Sequence, residues 1–235
     1  MGRGVRWLLI SLVSLVVLVI AADRVGVVVA ERVAADTLQS SQHLPSKPDV
    51  EIAGFPFLTQ LATGHYDEIT VTASDVPLGR GAHGLALSRL QVVLHDLDVS
   101  RSFSRFHADS ADATATIGFG ELGDVLGVDL SYAGNGRVQA TKTVSVVNHT
   151  LHAHITARPR LENGRLGFVD TSVTGLAGLT GAVVDAVARD FDVTLPLQGI
   201  PFQVHLRSLH VDPSGVVVAL SGRNLSYVNS GRAPS

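Results

Sequence analysis

Sixteen consecutive residues from Trp7 to Ala22 carry no charge, and the run stops at Asp23-Arg24. That is long for the apolar core of a signal peptide and slightly short for a membrane span. Arg3 and Arg6 precede the run. The positive flank holds the N-terminus in the cytoplasm and sends the remainder across the membrane. Ile20-Ala21-Ala22 offers a weak cleavage site. An uncleaved signal anchor is therefore the preferred reading, and a cleaved signal peptide the alternative. Both export the rest of the chain.

The exported part has room for one sizeable domain or two small ones. Arginine outnumbers lysine sixteen to two, which reflects genome composition and not chemistry, since no basic run exceeds two residues. With a formal net charge of -3, the chain lacks the clustered cations of a nucleic-acid footprint. It has no cysteine, which excludes disulfides, thiolate metal sites and an acylated lipobox cysteine.

From Asp23 to Gln42 the pattern predicts a continuing helix, with Val25, Val29, Val33 and Leu38 near one face. Arg24, Glu31, Arg32 and Asp36 fall mostly elsewhere. This helix either lifts the domain off the bilayer or lies on it. His43-Leu44-Pro45-Ser46-Lys47-Pro48 is a linker, because two prolines three apart cannot continue a helix. The chain thus divides into a signal anchor (1–22), a connecting helix and linker (23–48), a folded domain (49–228) and a polar, disordered tail (229–235).

Within the domain, Val50 to Ile52 reads as a short strand and Leu58 to Ala62 as a helical turn closed by Gly64. Alternation marks strands at Ile69, Val71 and Ala73 and at Leu90, Val92 and Leu94. Ser110 to Phe119, Val138 to Val147 and Leu151 to Ala157 come next as strands, with helical turns over Phe119 to Leu126. Asn163-Gly164 is the strongest hairpin signal. A long helix is expected from about Leu176 to Phe191, with Leu179, Val183, Val187 and Phe191 in one stripe. Strands then resume on both sides of Asp212-Pro213-Ser214-Gly215. Many antiparallel strands with few helices define an α+β fold.

Two turn units stand out. Gly54-Phe55-Pro56-Phe57-Leu58-Thr59-Gln60-Leu61 is echoed by Gly199-Ile200-Pro201-Phe202. In each, a glycine and a proline bracket a bulky apolar residue, and phenylalanine comes directly after. Such a unit bends the chain and is expected to turn two large apolar side chains the same way. It forms either an apolar wall or an ordinary core corner.

Other motifs carry less. Gly79-Arg80-Gly81-Ala82-His83-Gly84 matches G-x-G-x-x-G, but Asp75-Val76-Pro77 and the period-two run after it deny the strand-to-helix context, so it reads as a loop. His149, His152 and His154 lack the further ligands and second shell of a zinc site and line a polar strand face. No G-x-S-x-G, S-x-x-K or P-loop occurs. No catalytic residue, cofactor or metal is expected. Asn148-His149-Thr150 and Asn224-Leu225-Ser226 fit the glycosylation sequon.

The anchor, the Gly54–Gln60 block with Gly64-His65-Tyr66-Asp67-Glu68-Ile69 after it, and the closing Gly199-Ile200-Pro201-Phe202 together resemble the LmeA-type phospholipid-binding proteins of actinobacterial cell envelopes. The resemblance covers nearly the whole exported part. It implies a tubular lipid-binding fold, related to the bactericidal/permeability-increasing and synaptotagmin-like lipid-transfer domains. There a strongly curved antiparallel sheet wraps a long helix around an apolar tunnel. It also implies a periplasmic location, phospholipid or another acyl-chain lipid as ligand, and a part in maturing mannose-bearing envelope lipids such as lipomannan. Phe55, Phe57 and Leu58 carry over by motif to a lipid-contacting wall. Leu61, Leu179, Val183, Val187, Ile200 and Phe202 complete the expected set. The alternatives are a non-catalytic envelope scaffold that binds a protein partner, and a hydrolase or transferase acting on lipid-linked sugars.

Overall fold

The computed structural model describes residues 3–78, 85–100, 105–146, 149–162, 165–174, 195–196 and 204–228. It opens with one unbroken helix, α1 (Arg3–Gln42). Next come β1 (Asp49–Ala53), α2 (Phe57–Thr63), β2 (His65–Leu78), β3 (Leu85–Val99), β4 (Arg105–Ile117) and α3 (Phe119–Leu126). The remaining elements are β5 (Asp129–Gly134), β6 (Arg137–Val146), β7 (His149–Glu162), β8 (Arg165–Thr174), β9 (Leu195–Pro196), β10 (Val204–Asp212) and β11 (Gly215–Val228). The fold is α+β. Its strands form a six-stranded sheet in the order β1-β2-β3-β4-β11-β10 and a five-stranded sheet in the order β5-β6-β7-β8-β9. Each sheet is open, so the strongly curved wrap expected from the sequence is not seen among the described residues. The helix expected from Leu176 to Phe191, with Leu179, Val183 and Val187, lies outside the described residues. So do Gly79 to Gly84 and Gly199 to Phe202.

The chain divides into two compact units. One comprises residues 1–73, 91–111 and 223–235, and the other residues 74–90 and 112–222. The long strands β2, β3, β4 and β11 each contribute residues to both. The first unit is built around buried Val27, Phe57, Tyr66, Leu97 and Ala108, with Ile52, Ile69 and Phe106 packed against them. In the second, α3 inserts Leu122 among Leu87, Ile117, Val138, Val211 and Val216.

Several local expectations are met for legible reasons. The helical turn after Pro56 is α2, and Gly64 ends it in the left-handed conformation (φ 78°), its N–H donating to the Gln60 carbonyl at 2.8 Å. Glu162 pairs with Arg165 where β7 and β8 run antiparallel, and Asn163-Gly164 lies outside the described residues. Asp212 pairs with Gly215, and the Asp212 carboxylate accepts the Ser214 N–H at 2.8 Å. Hydrogen bonds from the Ser214 hydroxyl and N–H hold the Asp212 carboxyl below the usual carboxylate range. Gly215 has φ 147°, and a Cβ there would collide with the Ile117 carbonyl, so no larger residue fits the hairpin's exit.

The valines expected near one face of α1 do share a face, and it is turned outward. Val25, Val29 and Val33 are exposed, while Val27 and Ala35 are buried. The valine stripe points away from the protein, and a different set of side chains makes the packed face. Residues 23–42 are therefore no free stalk: they pack on β1 and α2.

Candidate functional site

The residues flagged by the Gly-Phe-Pro-Phe block meet the end of the apolar run. Asp23 is the first charge after that run, yet its side chain is only 1% exposed. Its Oδ1 accepts the Leu58 N–H at 2.8 Å, and its Oδ2 accepts from the Arg24 guanidinium at 2.6 Å. The first N–H groups of a helix have no intrahelical partner, and Pro56 supplies no side-chain cap to α2. A carboxylate 35 residues earlier fills that role and locks α2 to α1.

Around this contact the motif splits. The Phe55-Pro56 peptide is cis. Phe57 is 1% exposed, whereas Phe55 is 61% exposed. The two rings do not face the same way, because Phe57 opens α2 and is aimed back at α1 while Phe55 precedes the helix. Phe57 and Leu58 lie against α1 at Gly26, where a Cβ would stand at the ordinary contact distances of 3.4 Å from Phe57 Cδ1 and 3.5 Å from Leu58 Cδ2. The Arg24 guanidinium lies 5.2 Å from the Phe55 ring centroid, within cation–π range.

The polarity of α2 is inverted. Leu58 (41%) and Leu61 (49%) are exposed, and Gln60 is buried. Gln60 Nε2 donates to the Ala53 carbonyl at 3.1 Å, and its Oε1 accepts the Asp67 N–H at 3.1 Å. Both ends of this buried amide are satisfied, which its burial requires. Thr63 returns its hydroxyl to the Thr59 carbonyl at 3.0 Å. No residue of α2 is charged. The outer face of this helix thus presents Leu58, Leu61 and Ala62 beside Thr59 and Thr63, with no charge on it.

Further along the first unit, an open cavity of about 390 Å³ is lined by Val99, Phe106, Arg105, His107, Ser226, Asp98 and Ser100. This lies at the small end of ligand-site volumes. His107 Nδ1 and Ser226 Oγ share a hydrogen bond of 2.9 Å. Asp98 also meets His65 Nδ1 at 2.9 Å. That hydrogen bond raises the His65 pKa above its ordinary 6.5 against a desolvation that lowers it, and the charges of Asp98, Asp96 and Asp67 add to the rise. His152 and His154 each share a hydrogen bond with the threonine opposite, Thr143 and Thr141. Among the described residues no three His, Cys, Asp or Glu side chains converge as metal ligands would.

A profile of the LmeA-like phospholipid-binding family matches residues 21–221. The chain belongs to that family. The match takes in Asp23, the docked half of α1, the whole Gly54–Gly64 block and most of both units. No curated protein and no solved structure matches the chain. In this LmeA-like chain, four of the residues expected at a lipid-contacting site lie together. Phe55, Leu58 and Leu61 are exposed, and Phe57 is sealed in the core beneath them. The other five, Leu179, Val183, Val187, Ile200 and Phe202, lie outside the described residues. Asp23, Gln60 and Gly26 were not singled out from the sequence. Asp23 looked like the stop to an apolar run, and nothing local announced a partner so far along the chain.

Proposed function

We propose that this protein is a membrane-anchored, non-enzymatic phospholipid-binding protein whose domain lies on the extracytoplasmic side and passes lipid to or from the membrane. Membership of the LmeA-like phospholipid-binding family across residues 21–221 carries the reading. The α+β fold with large antiparallel sheets and the long N-terminal apolar helix agree with it. In this reading the helix expected over Leu176 to Phe191 lies within a curved sheet, and Leu179, Val183, Val187, Ile200 and Phe202 line an acyl-chain tunnel. Of the rest of the expected lipid-contacting set, Phe55, Leu58 and Leu61 are exposed for such contact, and Phe57 is buried beneath them. The lipid it handles serves the maturation of mannose-bearing envelope lipids such as lipomannan.

The energetics suit carriage better than storage. Burying an acyl chain gains about 0.8 kcal/mol per methylene relative to water, and leaving a bilayer costs nearly as much. The two terms largely cancel, so lipid enters and leaves without a large net affinity. Tethering by α1 raises the local concentration of the site at the membrane.

The test uses the full chain in vesicles containing a phospholipid with a photoreactive acyl chain. Cross-linked peptides are expected from the domain beyond Thr63, including the strands of the second unit. Cross-links confined to residues 4–63 would reduce the protein to a membrane-seated scaffold and overturn the reading.

A further inference from the structure

The apolar run of α1 is too short to cross a bilayer alone, and the structure places other apolar surface at the level where it falls short. From Trp7 to Ala22 the helix rises about 24 Å at 1.5 Å per residue, against a hydrocarbon core of about 30 Å. Trp7 suits the near interface, where aromatic side chains collect. Measured from it, the far edge of the hydrocarbon reaches about residue 27. That is the level of Gly26, where Phe57 and Leu58 touch the helix.

The side chains at this level are arranged for contact with hydrocarbon. On α1, Val25, Val28 and Val29 are exposed, and on the turn beside it so are Phe55, Leu58 and Leu61. The charged groups are shielded or lifted away. Asp23 is buried against the Leu58 N–H and Arg24. Arg24 lays its guanidinium over Phe55, as a long cationic side chain does when its stem lies in an apolar layer and its head at the interface. Gln60 turns inward, and α2 carries no charge.

We propose that the Phe55–Leu61 turn is a membrane-insertion element: together with Val25, Val28 and Val29 it forms a collar that seats the first unit in the outer interface of the same bilayer that α1 spans. The occupant of this apolar face is lipid. The hydrogen bond from Leu58 to Asp23 fixes the collar's depth, because it ties α2 to one level of the spanning helix. This inference rests on the reading of α1 as a span. It does not depend on lipid binding deeper in the domain, so its failure and the failure of that function read out separately.

The test places a single tryptophan in the full chain with Trp7→Phe, reconstituted in vesicles of phosphatidylcholine and phosphatidylglycerol. Leu58→Trp and Val25→Trp report the collar, the second standing in should the first fail to fold. Ser41→Trp, about 28 Å beyond Ala22 on the same helix, reports the aqueous side. Leu58→Trp and Val25→Trp are expected to emit at shorter wavelength, to lose most of their emission to brominated phospholipid, and to resist acrylamide. Ser41→Trp should behave oppositely. Collar tryptophans quenched by acrylamide as readily as Ser41→Trp would show a water-covered face and overturn the proposal. Collar tryptophans shielded from both quenchers would show a second copy or a protein partner there, and would overturn it equally.

Discussion

Gln60 faces inward while Leu58 and Leu61 face out, the reverse of what side-chain hydrophobicity alone dictates for a short surface helix. The inward amide has a task no apolar residue can perform, since it satisfies the Ala53 carbonyl and the Asp67 N–H at once. Gln60→Leu is therefore expected to destabilise the first unit by about 1–3 kcal/mol despite adding apolar bulk, because it strands two backbone groups. Faster hydrogen exchange at the Asp67 amide would report it, and unchanged exchange would contradict it. Phe57→Ala removes a ring that is 1% exposed and should cost about 3–5 kcal/mol. An acidic residue at Phe57 thus unfolds this unit whether or not the protein carries lipid. His65 sets a pH dependence at the foot of α2. Its hydrogen bond to Asp98 raises its folded-state pKa above 6.5, so the protonated ring stabilises the fold. That contribution is fully present below the unfolded value and is lost as the pH rises through the raised one. Thermal melts of the full chain should fall on raising the pH from the acid to the alkaline side of the histidine range, and by more than those of His65→Gln, which keeps a polar side chain without the titration. Parallel curves would remove His65 from the account.

At the scale of elements, β1 is an edge strand whose outward backbone needs a partner. The helix α1 supplies one: Glu31 Oε1 accepts the Ile52 N–H at 3.0 Å across 21 residues of sequence. Glu31→Ala should expose the Ile52 amide to exchange and cost about 1–2 kcal/mol, while Glu31→Gln, still an acceptor, should largely preserve it. Equal protection in all three proteins would place the docking energy elsewhere. Most of the strands, α2, α3 and the Asp212–Gly215 hairpin were legible in the sequence because each is announced locally, by alternation, by a glycine stop or by turn residues, whereas β5 and the two-residue β9 carry no such signal. The inward face of α1 was not. Its stripes Val25, Val29, Val33 and Asp23, Val27, Ala30 are both largely uncharged, so periodicity cannot say which one packs. Contacts made far along the chain decide it: Asp23 with the Leu58 N–H, Gly26 with Phe57 and Glu31 with the Ile52 N–H. The split of Phe55 from Phe57 was hidden for the same reason, as it depends on where α1 runs. Of the candidate site, the Phe55–Leu61 block was legible by motif. Its attachment point at Asp23 lies 35 residues from Leu58, beyond any local signal.

For the whole molecule, the same helix that satisfies the positive-inside pattern also forms part of the first unit's core, through Val27 and Ala30. This bears on whether Ile20-Ala21-Ala22 is cut. A chain severed before Asp23 would keep the docked half of α1 and its outward valines, Val25, Val28, Val29 and Val33, beside exposed Phe55, Leu58 and Leu61. Soluble monomers rarely leave a contiguous apolar patch of that kind to water. With the span retained, the patch adjoins the bilayer and needs no other cover. The protein is accordingly expected to stay in the membrane fraction through an alkaline carbonate wash and to show an intact mass that includes Trp7 to Ala22. External protease on spheroplasts should degrade the domain while sparing a fragment of α1. A mass beginning at Asp23, with release by carbonate, would establish the cleaved form and leave the outward face of α1 without its lipid.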